Sequence, residues 1–279
     1  MIYVSKTFSY MRKSFWLLAL ISLVPALLLG LFVRPMGFIS FVPDYASTAI
    51  TSYADIAWLI FDRYATVYVY PIVLIFVTLV ICMSLALSVI EKHFRTGRLM
   101  FKAPLQDINS SLFPTLKMLS VITAAYLLYK FILSGLVTLL HFLISGSGAP
   151  NTVTIVIVAV VVVALFFLMM FFAVPVLLWT PLMLTFGYSF ADAFIAASRM
   201  ASKAFWKLFL ALVLPFVAVI LVQCVLELLP LHIAALKAVA AVMYLFVIMY
   251  MSALMMVAMF DLTELKRRDV KDKYYSKGN

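Results

Sequence analysis

Six stretches of some twenty or more mostly apolar residues constrain this chain more than any motif in it: roughly 14–33, 71–90, 117–143, 152–178, 206–229 and 233–260. An α-helix rises 1.5 Å per residue, so ~20 apolar residues cross the ~30 Å hydrocarbon core of a bilayer. Membrane-spanning strands need only ~10 residues but must alternate in polarity, and "TIVIVAVVVVALFFLMMFFAV" (154–174) does not. Of the 279 residues 67% are hydrophobic and 11% charged, against ~25% charged in a soluble domain. The expected fold is an all-α polytopic membrane bundle of six transmembrane helices in three hairpins. It forms a single integral membrane domain over residues 1–265, with a basic tail at 266–279. Lys6, Arg12 and Lys13 precede the first run as they would in a signal peptide. That run is long enough to span and has no small-residue cleavage site close behind it, so it reads as an uncleaved first span.

The net charge of +10 does not point to nucleic acid, because the basic residues flank apolar runs. All but four of the 21 Lys and Arg fall in the N-terminal segment, the connection after span 2, the segment before span 5, or the tail. By the positive-inside rule both termini are expected in the cytoplasm, in the inner membrane of a bacterium. Cys82 and Cys224 lie deep in apolar runs and read as packing residues.

One phrase occurs twice. "KSFWLLALISLVP" (13–25) and "KAFWKLFLALVLP" (203–215) share Lys, Phe, Trp, two Leu and Pro in register. Each follows a short segment of helical period. In the first, Val4, Phe8, Met11 and Phe15 share a face; in the second, Phe190, Phe194, Ala197 and Ala201 do. A degraded third copy opens at Pro104, with Leu105, Ile108 and Leu112 aligned. The expected unit is a short amphipathic helix on the inner leaflet followed by a hairpin, an internal repeat in which Lys anchors at the headgroups. The long connection 34–70 carries a further expected amphipathic helix on the outer surface. Its apolar face is Ile50, Tyr53, Ala54, Ala57, Trp58 and Phe61, and Asp55 and Asp62 lie opposite.

The segment "SFADAFIAASRMASKAFWKLFLALVL" (189–214) resembles the amphipathic lead-in of a broad group of poorly characterised bacterial six-span proteins, among them the glycerophosphoryl diester phosphodiesterase membrane domain. Phe205, Trp206, Lys207, Leu208 and Phe209 match the end of that lead-in and Arg199 one basic position, while Ser202-Lys203 replaces the group's Arg-Gly pair. Residues 97–122 resemble the group's middle segment. The resemblance implies the six-span layout. The phosphodiesterase domain that some members carry has no counterpart in these residues, so no enzyme is carried over from it.

Span 3 holds the most chemistry. Ser120, Thr123, Tyr126, Lys130, Ser134, Thr138 and His141 fall within about a third of the helix circumference. Lys130 sits past the midplane, where a charge costs ~2.5–3.5 kcal/mol on insertion scales. A candidate polar cluster in the outer half joins Lys130, His141, Gln223, Glu227 and Lys237, with His232 nearby. It reads either as a cavity for an anionic or lipid-like substrate, or as a structural ion pair with packing hydroxyls. Candidate anionic-lipid contacts are Lys13, Lys92, Arg95, Arg98, Arg199, Lys203 and Lys207. No phosphate loop, catalytic triad, close carboxylate pair or metal-ligand spacing is present, and Met251, Met255 and Met259 read as packing. The expected function is a non-enzymatic integral membrane protein that organises lipids or partner proteins. Its expected partners are anionic headgroups on the cytoplasmic side and a second membrane protein, with no nucleic acid and no cofactor. The alternative is a transporter component using the polar face of span 3.

Overall fold

The computed structural model describes residues 2–32, 45, 50–61, 69–98, 104–146, 151–229, 232–265 and 267–269. Among these residues the regular structure is entirely helical: α1 (Ile2–Lys13), α2 (Phe15–Phe32), α3 (Tyr53–Phe61), α4 (Val69–Thr96), α5 (Pro104–Gly146), α6 (Asn151–Phe186), α7 (Phe190–Lys203), α8 (Phe205–Leu228) and α9 (Ile233–Leu262). Six of them, α2, α4, α5, α6, α8 and α9, are long and apolar enough to cross a membrane. Helices are the form such runs must take, because in lipid every backbone N–H and C=O has to be satisfied within the segment.

The bundle is organised around α9, the last span in the chain. From Ile248 to Phe260 every residue except Met251 is buried. A helix buried on all sides sits at the centre of its bundle, and α9 meets α1, α2, α4, α6 and α8. Its most extensive partner is α2 rather than its chain neighbour α8. Small residues permit this: an ideal Cβ built on Gly30 would fall 2.5 Å from Cβ of Ala241. Tyr250 ties α9 to α8 by donating to the carbonyl of Ala211 at 2.8 Å. Between α4 and α5, Ser111 donates to the carbonyl of Ser84 at 3.2 Å. Hydroxyls used between helices in this way contribute ~0.6 kcal/mol each on average in a membrane.

The two copies of the repeated phrase each straddle a break between helices, at Ser14 between α1 and α2 and at Ala204 between α7 and α8. At a constant offset of 190 residues six buried positions coincide: Tyr3 with Ala193, Thr7 with Ala197, Met11 with Ala201, Leu18 with Leu208, Ile21 with Ala211 and Ser22 with Leu212. The faces expected for the short helices need correction. In α1 the buried side is Tyr3, Thr7, Tyr10 and Met11, while Phe8 is exposed. In α7 it is the alanine line Ala193, Ala197 and Ala201, packed on α6, while Phe194 is exposed. In α7 the small side chains allow close helix approach and leave the bulky Phe194 outside; in α1 the buried side is instead mostly bulky, with Tyr3, Tyr10 and Met11. The third copy is not a separate helix. Residues from Pro104 onward run without a break into span 3, making α5 a single helix of 43 residues.

α6 ends at Gly187, whose φ of +67° is the left-handed conformation that stops helices. Ser189 then caps α7, accepting the N–H of Asp192 at 3.3 Å and donating to its carboxylate at 2.6 Å. Trp179 Nε1 donates to the carbonyl of Phe190 at 2.8 Å and fixes α7 against α6.

Candidate functional site

The helix ends that carry the candidate lipid contacts gather at one end of the bundle. Tyr10 of α1 meets His93 near the end of α4, with Oη 3.2 Å from Nδ1. Arg95 Nη2 donates to the carbonyl of Thr185 at the end of α6 at 3.1 Å, and also pairs with Glu91 at 2.8 Å. Lys6 forms an ion pair with Asp261 at the end of α9. Arg95 therefore has a bridging role between helices as well as an exposed guanidinium. Lys13, Arg98, Arg199, Lys203 and Lys207 are exposed, and Lys92 is partly buried. Beside each helix break a tryptophan projects from the surface: Trp16 is 83% exposed and Trp206 68%. A large aromatic exposed beside lysines is the arrangement of a membrane–water interface.

At this same end lies a polar clasp that the sequence did not disclose. Arg267, in the segment expected as tail, donates from Nε and Nη2 to the Asp269 carboxylate at 3.0 and 2.8 Å. Its guanidinium lies 3.9 Å from the centre of the Phe94 ring, and the N–H of Arg268 donates to the Phe94 carbonyl at 2.8 Å. Gly97 has φ +72°, and an ideal Cβ there would meet Arg268 O at 2.8 Å. Burial holds the Tyr10 hydroxyl protonated well above the ordinary tyrosine range; Ser14 and Arg267 oppose that rise and Asp269 adds to it. Burial, reinforced by Asp261, pushes Tyr3 up to about 12. Both phenols therefore remain neutral hydrogen-bonding groups at physiological pH.

At the far end the polar stripe of span 3 is divided. Ser120 and Thr123 are exposed, whereas Ser134 is fully buried and Thr138 and His141 partly so. The part beyond Tyr126 is where α3 and Tyr45 dock. Tyr45 Oη lies 2.8 Å from His141 Nδ1. The Lys130 ammonium sits 5.6 Å from the Phe61 ring centre and 5.0 Å from that of Tyr126. Between these contacts Ile56, which is fully buried, packs with Leu133, Val137 and Val158. α3 therefore does not lie on the surface by the face expected. Ile56, Leu59 and Ile60 turn inward, and Tyr53 and Trp58 are exposed. Its N-terminus is organised by Asp55, whose carboxylate accepts from the N–H groups of Thr51 and Ser52, both at 2.9 Å. These bonds, that from Thr51 first, hold the Asp55 carboxyl below its ordinary value.

No family model, no curated protein and no solved structure matches this chain.

The contacts of the expected cluster are described for four of its five residues. His141 is with Tyr45, and Lys130 is with Phe61 and Tyr126. Gln223 is buried beside Tyr244, which also lies near Tyr126. Lys237 is exposed, and the Glu227 side chain lies outside the described residues. His232 caps α9, its Nδ1 accepting the N–H of Ala234 at 3.3 Å. Met255 and Met259 are buried in the central core. Among the described residues no three His, Cys, Asp or Glu side chains converge as a metal site requires. Tyr45, Tyr244 and Arg267, which the sequence did not flag, and Phe61, flagged only as part of an amphipathic face, act through contacts distant in the chain, and helical periodicity carries no signal for those.

Proposed function

We propose that this chain is a non-enzymatic protein of a bacterial cytoplasmic membrane that gathers anionic lipids at its basic, cytoplasmic end. In this reading the chain is built as three hairpins and belongs to the same broad kind of six-span membrane protein as the group it resembles. The observation that carries the proposal is the pair of helix breaks at Ser14 and Ala204. Each presents an exposed tryptophan and an exposed lysine, Trp16 with Lys13 and Trp206 with Lys203, over a buried face that matches at an offset of 190 residues. The matched burial supports an internal repeat, so the two corners act as equivalent anchoring stations in the inner leaflet. Lys207 adds a second charge at the α8 station.

A lysine near an anionic membrane surface contributes ~1 kcal/mol, about fivefold in affinity. Neutralising Lys13, Lys203 and Lys207 together to Gln should thus reduce retained anionic lipid by about 100-fold at the tightest sites. The experiment is mass spectrometry of lipids retained by the full chain after gentle detergent extraction. A fall in phosphatidylglycerol and cardiolipin relative to phosphatidylethanolamine supports the proposal; an unchanged ratio refutes it. A C-terminal reporter active only outside the cytoplasm tests the orientation and should stay silent.

A further inference from the structure

The third copy of the lead-in has no helix break, yet it keeps the surface chemistry of the other two. At Ser14 and Ala204 an exposed tryptophan follows an exposed lysine by three positions, Trp16 after Lys13 and Trp206 after Lys203. In α5 the exposed Lys117 follows the exposed Phe113 by four. Residues three or four apart on a helix share a face, and here they touch: the Lys117 ammonium lies 4.4 Å from the centre of the Phe113 ring. A second ring approaches from another helix. The centre of the Phe190 ring, at the start of α7, is 5.7 Å from the same ammonium. Phe190 is itself held, its ring 4.3 Å from that of Trp179 and its carbonyl accepting from Trp179 Nε1. Lys117 is thus placed beside the α6–α7 turn, at the end of the bundle where Arg95 bonds Thr185.

We propose that Lys117, between the Phe113 and Phe190 rings, is a third seat for the phosphate of an anionic lipid, built by two helices instead of by a helix break. It rests on the preceding reading only in taking this end of the bundle to face anionic headgroups. Lys117 lies within the apolar stretch Ser111–Ile144, near its basic-side end, and a cation in an apolar stretch requires compensation. The two ring faces attract the ammonium without consuming any of its three N–H donors. Phosphate oxygens take those donors in charge-assisted bonds, which are stronger than contacts with a ring face. Val121, one turn further along the same face of α5, is exposed and apolar and gives an acyl chain a surface to lie on. A lipid seated here touches α5 and α7 at once.

The test uses the full chain with Trp16, Trp58 and Trp206 replaced by Phe, which leaves Trp179, packed on Phe190, as the sole tryptophan. The protein is reconstituted in phosphatidylcholine vesicles. Quenching of Trp179 by phosphatidylglycerol brominated on its acyl chains is compared with quenching by equally brominated phosphatidylcholine. One lysine near an anionic headgroup gives about fivefold in affinity, so brominated phosphatidylglycerol should half-quench at about one-fifth the mole fraction. Lys117 is exposed, so its substitution leaves the fold standing. Lys117→Gln should abolish the preference, and Lys117→Arg should keep it, as should Lys13→Gln/Lys203→Gln/Lys207→Gln. Equal quenching by the two lipids overturns the seat. A preference that persists in Lys117→Gln, or is lost in Lys117→Arg, also overturns it. A Lys117-dependent preference, found together with an unchanged lipid ratio in the triple lysine variant, would refute the two stations and leave this seat standing.

Discussion

Gly30 of α2 and Ala241 of α9 touch through their backbones: a Cβ placed on Gly30 would lie 2.5 Å from Cβ and 2.7 Å from Cα of Ala241. Gly30→Ala gains up to ~1 kcal/mol of helix propensity but forces the two helices apart where α9 makes its most extensive contact. Overpacking of this kind costs ~1–3 kcal/mol, and because two of the clashing atoms, Cα and N of Ala241, are backbone the strain is not relieved by a rotamer change. The variant should unfold at lower temperature in detergent. Adding Ala241→Gly should recover only part of the loss.

Arg267→Ala removes the partner of Asp269, whose side chain is 2% exposed. Breaking one side of a buried pair typically costs ~3–5 kcal/mol, whereas removing both partners is far milder. Arg267→Ala should therefore destabilise the protein more than Arg267→Ala/Asp269→Ala does. A double-mutant cycle on thermal or denaturant unfolding measures the difference. Additive losses would show that the clasp is not a coupled unit.

Asp55 gives the α3 region a dependence on acidity. Its carboxyl is held below the ordinary Asp value by the hydrogen bonds from Thr51 and Ser52. The charged form is favoured in the folded state, so the stabilisation is complete above the unfolded value of ~4 and disappears as pH falls through the lower, folded one. In a Trp16→Phe/Trp206→Phe background the only tryptophan besides Trp58 is the buried Trp179, so the fraction of fluorescence open to an aqueous quencher reports Trp58 and should rise on acidification from about pH 6 to about pH 3. Asp55→Asn should show the raised quenching already at neutral pH.

Lys130→Leu is expected to fold. Removing a charge from membrane depth regains up to ~2.5–3.5 kcal/mol of insertion cost, while the aromatic contacts it gives up amount to ~0.5–2 kcal/mol. The balance favours unchanged or raised thermal stability, measured in detergent. A variant that fails to accumulate in the membrane would mean that Lys130 holds more of the fold than its contacts with Phe61 and Tyr126 account for.

The six spans were legible because hydropathy over twenty residues is a property of the segment itself, as in the run 154–174 that became the middle of α6. The helix breaks at Ser14 and Ala204 fall inside the phrase that the sequence repeats, so their place was marked though their geometry was not. Which face of α1 and α7 turned inward was not legible. Tyr3 and Tyr10 are buried beside polar partners, Asp261 and His93, and the Thr7 hydroxyl is buried with no hydrogen-bond partner among the described residues, so apolarity does not pick out this face. Lys130 stood out as a deep charge, but its aromatic neighbour Phe61 lies 69 positions earlier and in another helix. The clasp of Arg267, Asp269 and Phe94 was read as plain basic tail, because a charge that folds back looks the same in sequence as one that faces water.

Because α9 is the hub on which α1, α2, α4, α6 and α8 converge, the ribosome delivers the keystone after the stones it must hold. Until residues 248–260 leave the translocon, the earlier spans sit in the bilayer with their alanines, serines and buried methionine-facing edges turned to lipid or to one another. A chain cut ahead of α9 would keep its earlier spans but lack the one surface on which α1, α2, α4, α6 and α8 all meet.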